Sequence, residues 1–310
     1  MRFSVYQESH IGGRKVNQDR MGYSFTRDSL LLLLADGMGG HLQGEVAATI
    51  AMQTIGSMFQ QQANPYIKKP EYFLEDSFFA AHREIHRYRA VNNLPETPRT
   101  TVIACLIQHN TAFWAHCGDS RLYLIRNGQI LQRTRDHSRI ETLIAEGKVA
   151  ASERDTHPDR NKLFNCLGAT SLPVVEMSRR TSLQPGDLML LCSDGLWAVL
   201  PDEVLLNSFQ NNTIVRAVPE LISGAIAIAG KASDNVTALA MMWEGGSNLL
   251  DTDSTILTHT LPVGTVTTTI HAPLHADMEN ADSFDESEIE KAIEEIRGAI
   301  EKSSRITSKS

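Results

Sequence analysis

No two of the four cysteines, Cys105, Cys117, Cys166 and Cys192, stand close enough in sequence to form a Cys-x-x-Cys pair. That spacing excludes a disulfide framework and a cysteine-based zinc site. Three of the four lie in or beside apolar runs, so they read as small buried hydrophobes in a reducing compartment. Long apolar runs are missing too: none approaches the length that crosses a bilayer, and the first residues lack the basic, apolar, small-residue order of a secretion signal. The expectation is a soluble, cytoplasmic protein without a membrane partner. Positive charge is also scarce, with 29 Lys and Arg against 37 Asp and Glu and a formal charge of −8. No basic stripe follows from this composition, which argues against nucleic acid as a partner. The deficit is uneven, because 12 acids and only 5 bases stand from Gly245 onward, so the preceding residues are nearly neutral.

What the chain does have is a recurring context for aspartate. Short apolar runs at residues 30–35, 112–117 and 188–192 lead to Asp36, Asp119 and Asp194, and Asp234 stands just ahead of the run 237–243. Runs this short read as buried strands whose ends deliver carboxylates to one rim. Clustered carboxylates in a low-dielectric place need protons or hard cations to coexist, so the pattern points to a polynuclear Mg²⁺ or Mn²⁺ site. Taken singly, Asp36-Gly37 or Asp194-Gly195 is an ordinary hairpin corner, and only the recurrence argues otherwise.

Strands are expected at residues 3–6, 21–25 and 30–35. Two helices follow, the first carried by Val46, Ile50, Thr54 and Met58 and the second by Leu74, Phe78, Ala81, Ile85 and Tyr88. A meander is expected at residues 100–107, 112–116, 121–125 and 129–132, then a helical stretch at 140–146 and strands at 174–179 and 188–192. Helices at 202–209 and 214–229 come next, with Pro219 kinking or dividing the second, and a last strand at 237–243. Strand groups alternating with helix pairs, without regular β-α-β order, predict an α+β fold: a four-layer α-β-β-α sandwich around two mainly antiparallel sheets. Residues 245–282 read as a flexible linker. Residues 283–310 read as an acidic amphipathic helix and tail, opened by Ser283-x-x-Glu286 and seamed by Ile289, Ile293, Ile296 and Ile300, a candidate docking element for a partner protein. His82 and His86, one turn apart among arginines, read as a solvated helical face and not as zinc ligands.

The acids also fall into a recognisable order. Gly13-Arg14-Lys15-Val16-Asn17-Gln18-Asp19, Ala35-Asp36-Gly37-Met38-Gly39-Gly40-His41, Thr100-Thr101, Gly118-Asp119-Ser120-Arg121, Ser193-Asp194-Gly195-Leu196 and Asp234-Asn235-Val236-Thr237 span residues 1–244. In this the chain resembles the bacterial metal-dependent serine/threonine phosphatases of type 2C. The resemblance implies that Asp36 bridges two core Mn²⁺ or Mg²⁺ ions, with the Gly37 carbonyl on one of them. It implies that Asp194 and Asp234 hold the other, that Asp19 acts through water, and that Asp119 pairs with Asp194 on a third, weaker ion. Arg14 would clamp the phosphate and His41 would protonate the leaving oxygen. The implied reaction is hydrolysis of phosphoserine and phosphothreonine in phosphoproteins by a metal-bridged water, opposing a Ser/Thr kinase. The alternative is a catalytically silent phosphoprotein-binding scaffold of the same fold. Two departures stand out: Gln18 replaces a Glu common in relatives, and Met38 replaces the eukaryotic histidine. Residues 157–161 lie in what would be a flap beside the site, either selecting peptide or forming a capped loop.

Overall fold

The structure, a computed structural model, describes residues 1–38, 43–159 and 162–245. The expected linker beyond Gly245, the C-terminal helix, His41, and Arg160 and Asn161 of the flap lie outside the described residues.

The run at the third strand determines the layering. Strand β3 (Ser29–Asp36) is buried at every position before its last, and successive side chains alternate in direction. Leu31, Leu33 and Ala35 face a core shared with helices α1 (Gly44–Gln62) and α2 (Pro70–Val91), while Leu30, Leu32 and Leu34 face the second sheet. A strand buried on both faces reads as a continuous apolar run, which is why no alternation is visible there. Its sheet also contains β2 (Asp19–Phe25), β4 (Val102–Gln108), β5 (Thr111–Cys117) and the two-residue strands β8 (Glu176–Met177) and β9 (Thr181–Ser182). The order is β2-β3-β4-β5-β8, with β9 also on β5.

The second sheet runs β1-β11-β10-β6-β7, built from β1 (Arg2–His10), β6 (Arg121–Arg126), β7 (Gln129–Arg133), β10 (Leu188–Cys192) and β11 (Val236–Gly245). In β11 the small Ala238 and Ala240 face the outer helices, whereas Leu239, Met241 and Trp243 fill the layer between sheets. The outer helices are α4 (Asp194–Trp197), α5 (Asp202–Asn211) and α6 (Ile214–Ala229), and a further helix α3 (Arg139–Ala145) follows β7. Every pairing between the named strands is antiparallel. Helices, sheet, sheet and helices make the expected four layers.

Local expectations needed correction. Helix α6 passes Pro219 undivided. Its buried face of Val218, Leu221, Ile222 and Ala225 outweighs the one backbone bond that proline removes. The strand expected at 174–179 contracts to Glu176–Met177, in register with His116 and Ala115 of β5, and beyond it Ser178 takes the Trp114 N–H on its side-chain oxygen in place of a ladder bond. Asp194-Gly195 turns no hairpin; it opens helix α4.

Candidate metal centre

The antiparallel register of β2 and β3 sets Asp19 directly opposite Asp36. From Asp36 the rim continues sideways: Thr101 donates its N–H to the Asp36 carbonyl at 2.8 Å, and the Thr101 hydroxyl meets Ser120 at 2.7 Å beside Asp119. Gly118, just before Asp119, has φ +117°, and a Cβ there would lie 2.5 Å from Thr101 Cβ, so only glycine lets the turn approach this closely. From the other sheet, Asp194 follows β10 and Asp234 precedes β11, neighbours in one ladder. Ser193 joins the sheets, taking the Thr237 N–H at 3.1 Å on its Oγ and donating that hydroxyl to Asp19 Oδ2 at 2.8 Å.

Electrostatics follow from the convergence. Burial pushes the Asp36 carboxyl well above its usual range, and Asp19, Asp194, Asp119 and Asp234 each push it further. Asp194 is pushed up to about 7, by burial first and then by Asp234 and Asp19, against relief from Arg14 and a bond with Asp36. Asp119 is raised by burial, Asp194 and Asp136. Burial raises Asp19 too, against relief from hydrogen bonding, to which the Ser193 hydroxyl contributes. Carboxylates this close cannot all ionise without positive charge among them. Asp19 Oδ1 is moreover buried with no hydrogen-bond partner among the described residues, a polar atom of the kind that requires a ligand or water. Oxygen donors with neither imidazole nor thiolate suit hard divalent cations such as Mg²⁺ and Mn²⁺.

Arg14 reaches the same rim, with Nη2 at 2.6 Å from Asp234 Oδ2 and its side chain half exposed. It also feels Asp194 and Asp36. The loop that carries it is rooted by Asn235, whose amide donates to the carbonyls of Ile11 and Val16 at 2.8 and 3.1 Å and accepts the Gln18 N–H at 2.8 Å. Arg14 therefore enters the site as a partner of an acid. Its free half faces solvent, where a phosphoryl group would arrive.

Three contributors were not foreseen from the sequence. Glu45, at the start of α1, accepts from Gln18 Nε2 at 3.1 Å, so a carboxylate stands one residue contact away from the position where Gln18 departs from relatives. Ser193 and Asn235 orient acids without charge of their own, and adjacency to Asp194 and Asp234 was their only signal. The reading of His82 and His86 as a solvated face is overturned for His82, which is buried and accepts the Gly168 N–H at 3.2 Å on Nδ1. His86 bonds the neighbouring Ala169 carbonyl at 2.9 Å. Asp159 of the flap ties its own N–H to His157 and pairs with Lys162 and Arg139. All four cysteines are buried and free.

Known proteins resemble this chain in sequence and fold. Residues 6–233 match the family model described as Protein phosphatase 2C. The chain is 32% identical over 210 residues to the serine/threonine protein phosphatase PstP of Mycobacterium tuberculosis, a match covering 67% of this chain and 39% of that protein, so the chain spans about two fifths of that relative's length. It is 29% identical over 231 residues to the serine/threonine phosphatase stp of Listeria monocytogenes, covering 73% of this chain and 90% of that protein. The crystal structure of M. tuberculosis PstP/Ppp superposes with a TM-score of 0.70 at 30% identity, over 79% of this chain and 100% of that one. The PstP catalytic domain in complex with two manganese ions gives 0.66 at 28% identity, over 77% of this chain and 97% of that one. Acids gathered at the rim of two antiparallel sheets, and a family model reaching from the first strand to the threshold of the last, place this chain in the protein phosphatase 2C family.

Proposed function

We propose that the chain hydrolyses phosphoserine and phosphothreonine in phosphoproteins, opposing a Ser/Thr kinase. The carrying observation is the buried carboxylate cluster around Asp36, whose members need protons or cations among them to coexist and which divalent cations would satisfy. Asp36, the Gly37 carbonyl, Asp194 and Asp234 would hold the core ions, Asp19 would act from behind through water, and Asp119 with Asp194 would hold a third. Divalent cations held there would supply a water of lowered pKa and charge withdrawal from phosphoryl oxygens. The protein's own groups do the rest. Arg14 grips the phosphoryl group and offsets developing charge, as a planar fork can. Ser193 and Asn235 keep Asp19 and the Arg14 loop in register with the acids. The leaving oxygen must take up a proton, the role proposed for His41.

Membership with Asp19, Asp36, Asp119, Asp194 and Asp234 all retained weighs against a silent scaffold. No helix among the described residues is long and apolar enough to cross a membrane, which accords with a cytoplasmic site of action. The deciding experiment measures p-nitrophenyl phosphate and a phosphothreonine peptide with Mn²⁺ and with chelator. Turnover of both that vanishes on chelation and returns with Mn²⁺ is expected; turnover indifferent to metal, or none, refutes the reading.

A further inference from the structure

One cluster outside the centre has the composition of a metal site. His116, His137 and Glu176 bring ligand atoms within 4.8 Å of one another. Its hydrogen bonds assign it a different task. His137 Nδ1 receives the Asn165 amide at 2.6 Å and the Gly118 N–H at 3.2 Å. Asn165 cannot turn round, since its two ends bond the N–H and carbonyl of Val174 at 3.0 and 2.7 Å. With two donors on Nδ1 the neutral ring carries its proton on Nε2, where it donates to Glu176 at 3.2 Å, so no lone pair is left there for a cation. What His137 does is grip Gly118 twice, because its own N–H also bonds the Gly118 carbonyl at 2.9 Å. Gly118 immediately precedes Asp119.

The residue next to His137 leads to the other side of the same turn. Asp136 forms a two-pronged pair with Arg121, at 2.8 Å to Nε and 2.7 Å to Nη2, both side chains being 4% exposed. The Arg121 guanidinium lies 3.5 Å from the centre of the Trp197 ring and donates to the Tyr123 hydroxyl at 3.2 Å. Arg121 stands two residues after Asp119; Trp197 is the last residue of the one-turn helix that begins with Asp194. The indole N–H is buried without a partner among the described residues, so what Trp197 offers here is its face.

We infer that Arg121 is a positioning residue: clamped by Asp136 and stacked on Trp197, it sets the spacing between Asp119 and Asp194 and thereby the affinity for the ion they share. This rests on the reading of Asp119 as a ligand. A planar fork is needed because it must pair in its plane and stack through its face at once, which lysine cannot do.

The test is calorimetric titration of the full chain with Mn²⁺, in wild type and in Asp119→Ala, Arg121→Lys, Trp197→Leu and Trp197→Phe. The expected wild-type pattern is two tight events and one weak one. Asp119→Ala should remove the weak event. Arg121→Lys and Trp197→Leu should weaken it at least tenfold with the tight events within twofold, Trp197→Phe should restore it to within threefold, and Trp197→Leu should add nothing in the Asp119→Ala background. A weak event that survives in Asp119→Ala refutes Asp119 as a ligand and this role with it. A weak event lost in Asp119→Ala but intact in Arg121→Lys and Trp197→Leu refutes the positioning role alone. Equal weakening of all events in Trp197→Leu also overturns it, since general loosening would act that way.

Discussion

At Asp36, burial and four neighbouring acids act in the same direction, so Asp36→Asn should have opposite effects on activity and stability. Turnover of p-nitrophenyl phosphate with Mn²⁺ should fall by about 10³ or more, since the side chain proposed to hold both core ions loses its charge. In chelator, the melting temperature should rise by about 2–4 °C for each kcal/mol of relieved repulsion. Arg14→Ala should lower kcat/KM on a phosphothreonine peptide by about 10²–10³, with Arg14→Lys recovering only part, because an ammonium cannot grip two oxygens in one plane. The acids were legible in the sequence because one context, an aspartate beside a short apolar run, recurs four times, although each alone reads as a turn. Glu45, Ser193 and Asn235 were not: a helix-opening glutamate, a serine and an asparagine are ordinary loop and cap residues until partners from remote strands are known.

On the scale of single elements, α2 shows how a helix face can be misread. Its His82 looks solvated in a run of arginines, but a loop more than 80 residues later in the chain folds over it. Burial, with His86 and Arg83 nearby, pulls its pKa from 6.5 down to about 4. Between those values the unfolded chain binds a proton that the folded one refuses, so stability should fall as pH drops through that window and level off below it. Thermal melts of wild type and His82→Asn between pH 4 and 7 check this, the variant losing less than wild type over the interval. Gly168, which gives His82 its hydrogen bond, has φ +81°, and a Cβ there would lie 2.1 Å from the Pro98 carbonyl oxygen. Gly168→Ala should therefore destabilise by about 1 kcal/mol or more, read from urea midpoints. Strand β3 was legible for the converse reason, since an apolar run buried on both faces has a single fate. Helix α4 was not, because Asp-Gly opens a helix as readily as it closes a hairpin.

For the molecule as a whole, the cluster makes stability a function of cation and pH together. The raised carboxyls are protonated in the metal-free fold where the unfolded chain would ionise. The metal-free protein therefore loses stability as pH climbs from about 4, and the share of that loss due to Asp194 is complete once this residue has ionised near 7. Added Mn²⁺ should cancel that loss, so the gap in melting temperature between Mn²⁺ and chelator should widen from pH 5 to pH 8. A gap that shrinks over this range would contradict the geometry. The four-layer order was readable from strand groups and helix pairs, but which strands adjoin was not, since β1 pairs with β11 from the opposite end of the fold.

Ser193 belongs to one sheet and Asp19 to the other, and one hydroxyl pins them at the rim. The inter-sheet layer consists largely of apolar side chains such as Leu32, Leu191 and Met241, so the directional bonds between the halves stand at its edges, Arg126 to the Ser182 carbonyl at 2.9 Å and Gln132 to Thr181 at 3.1 Å among them. A glide of about 1 Å would spoil the geometry on which reactivity depends. Repacking that oily seam, far from any carboxylate, should thus be felt first as slackened cation capture in a protein that still melts cooperatively. The catalytic rim doubles as a gauge of how truly its two halves are aligned.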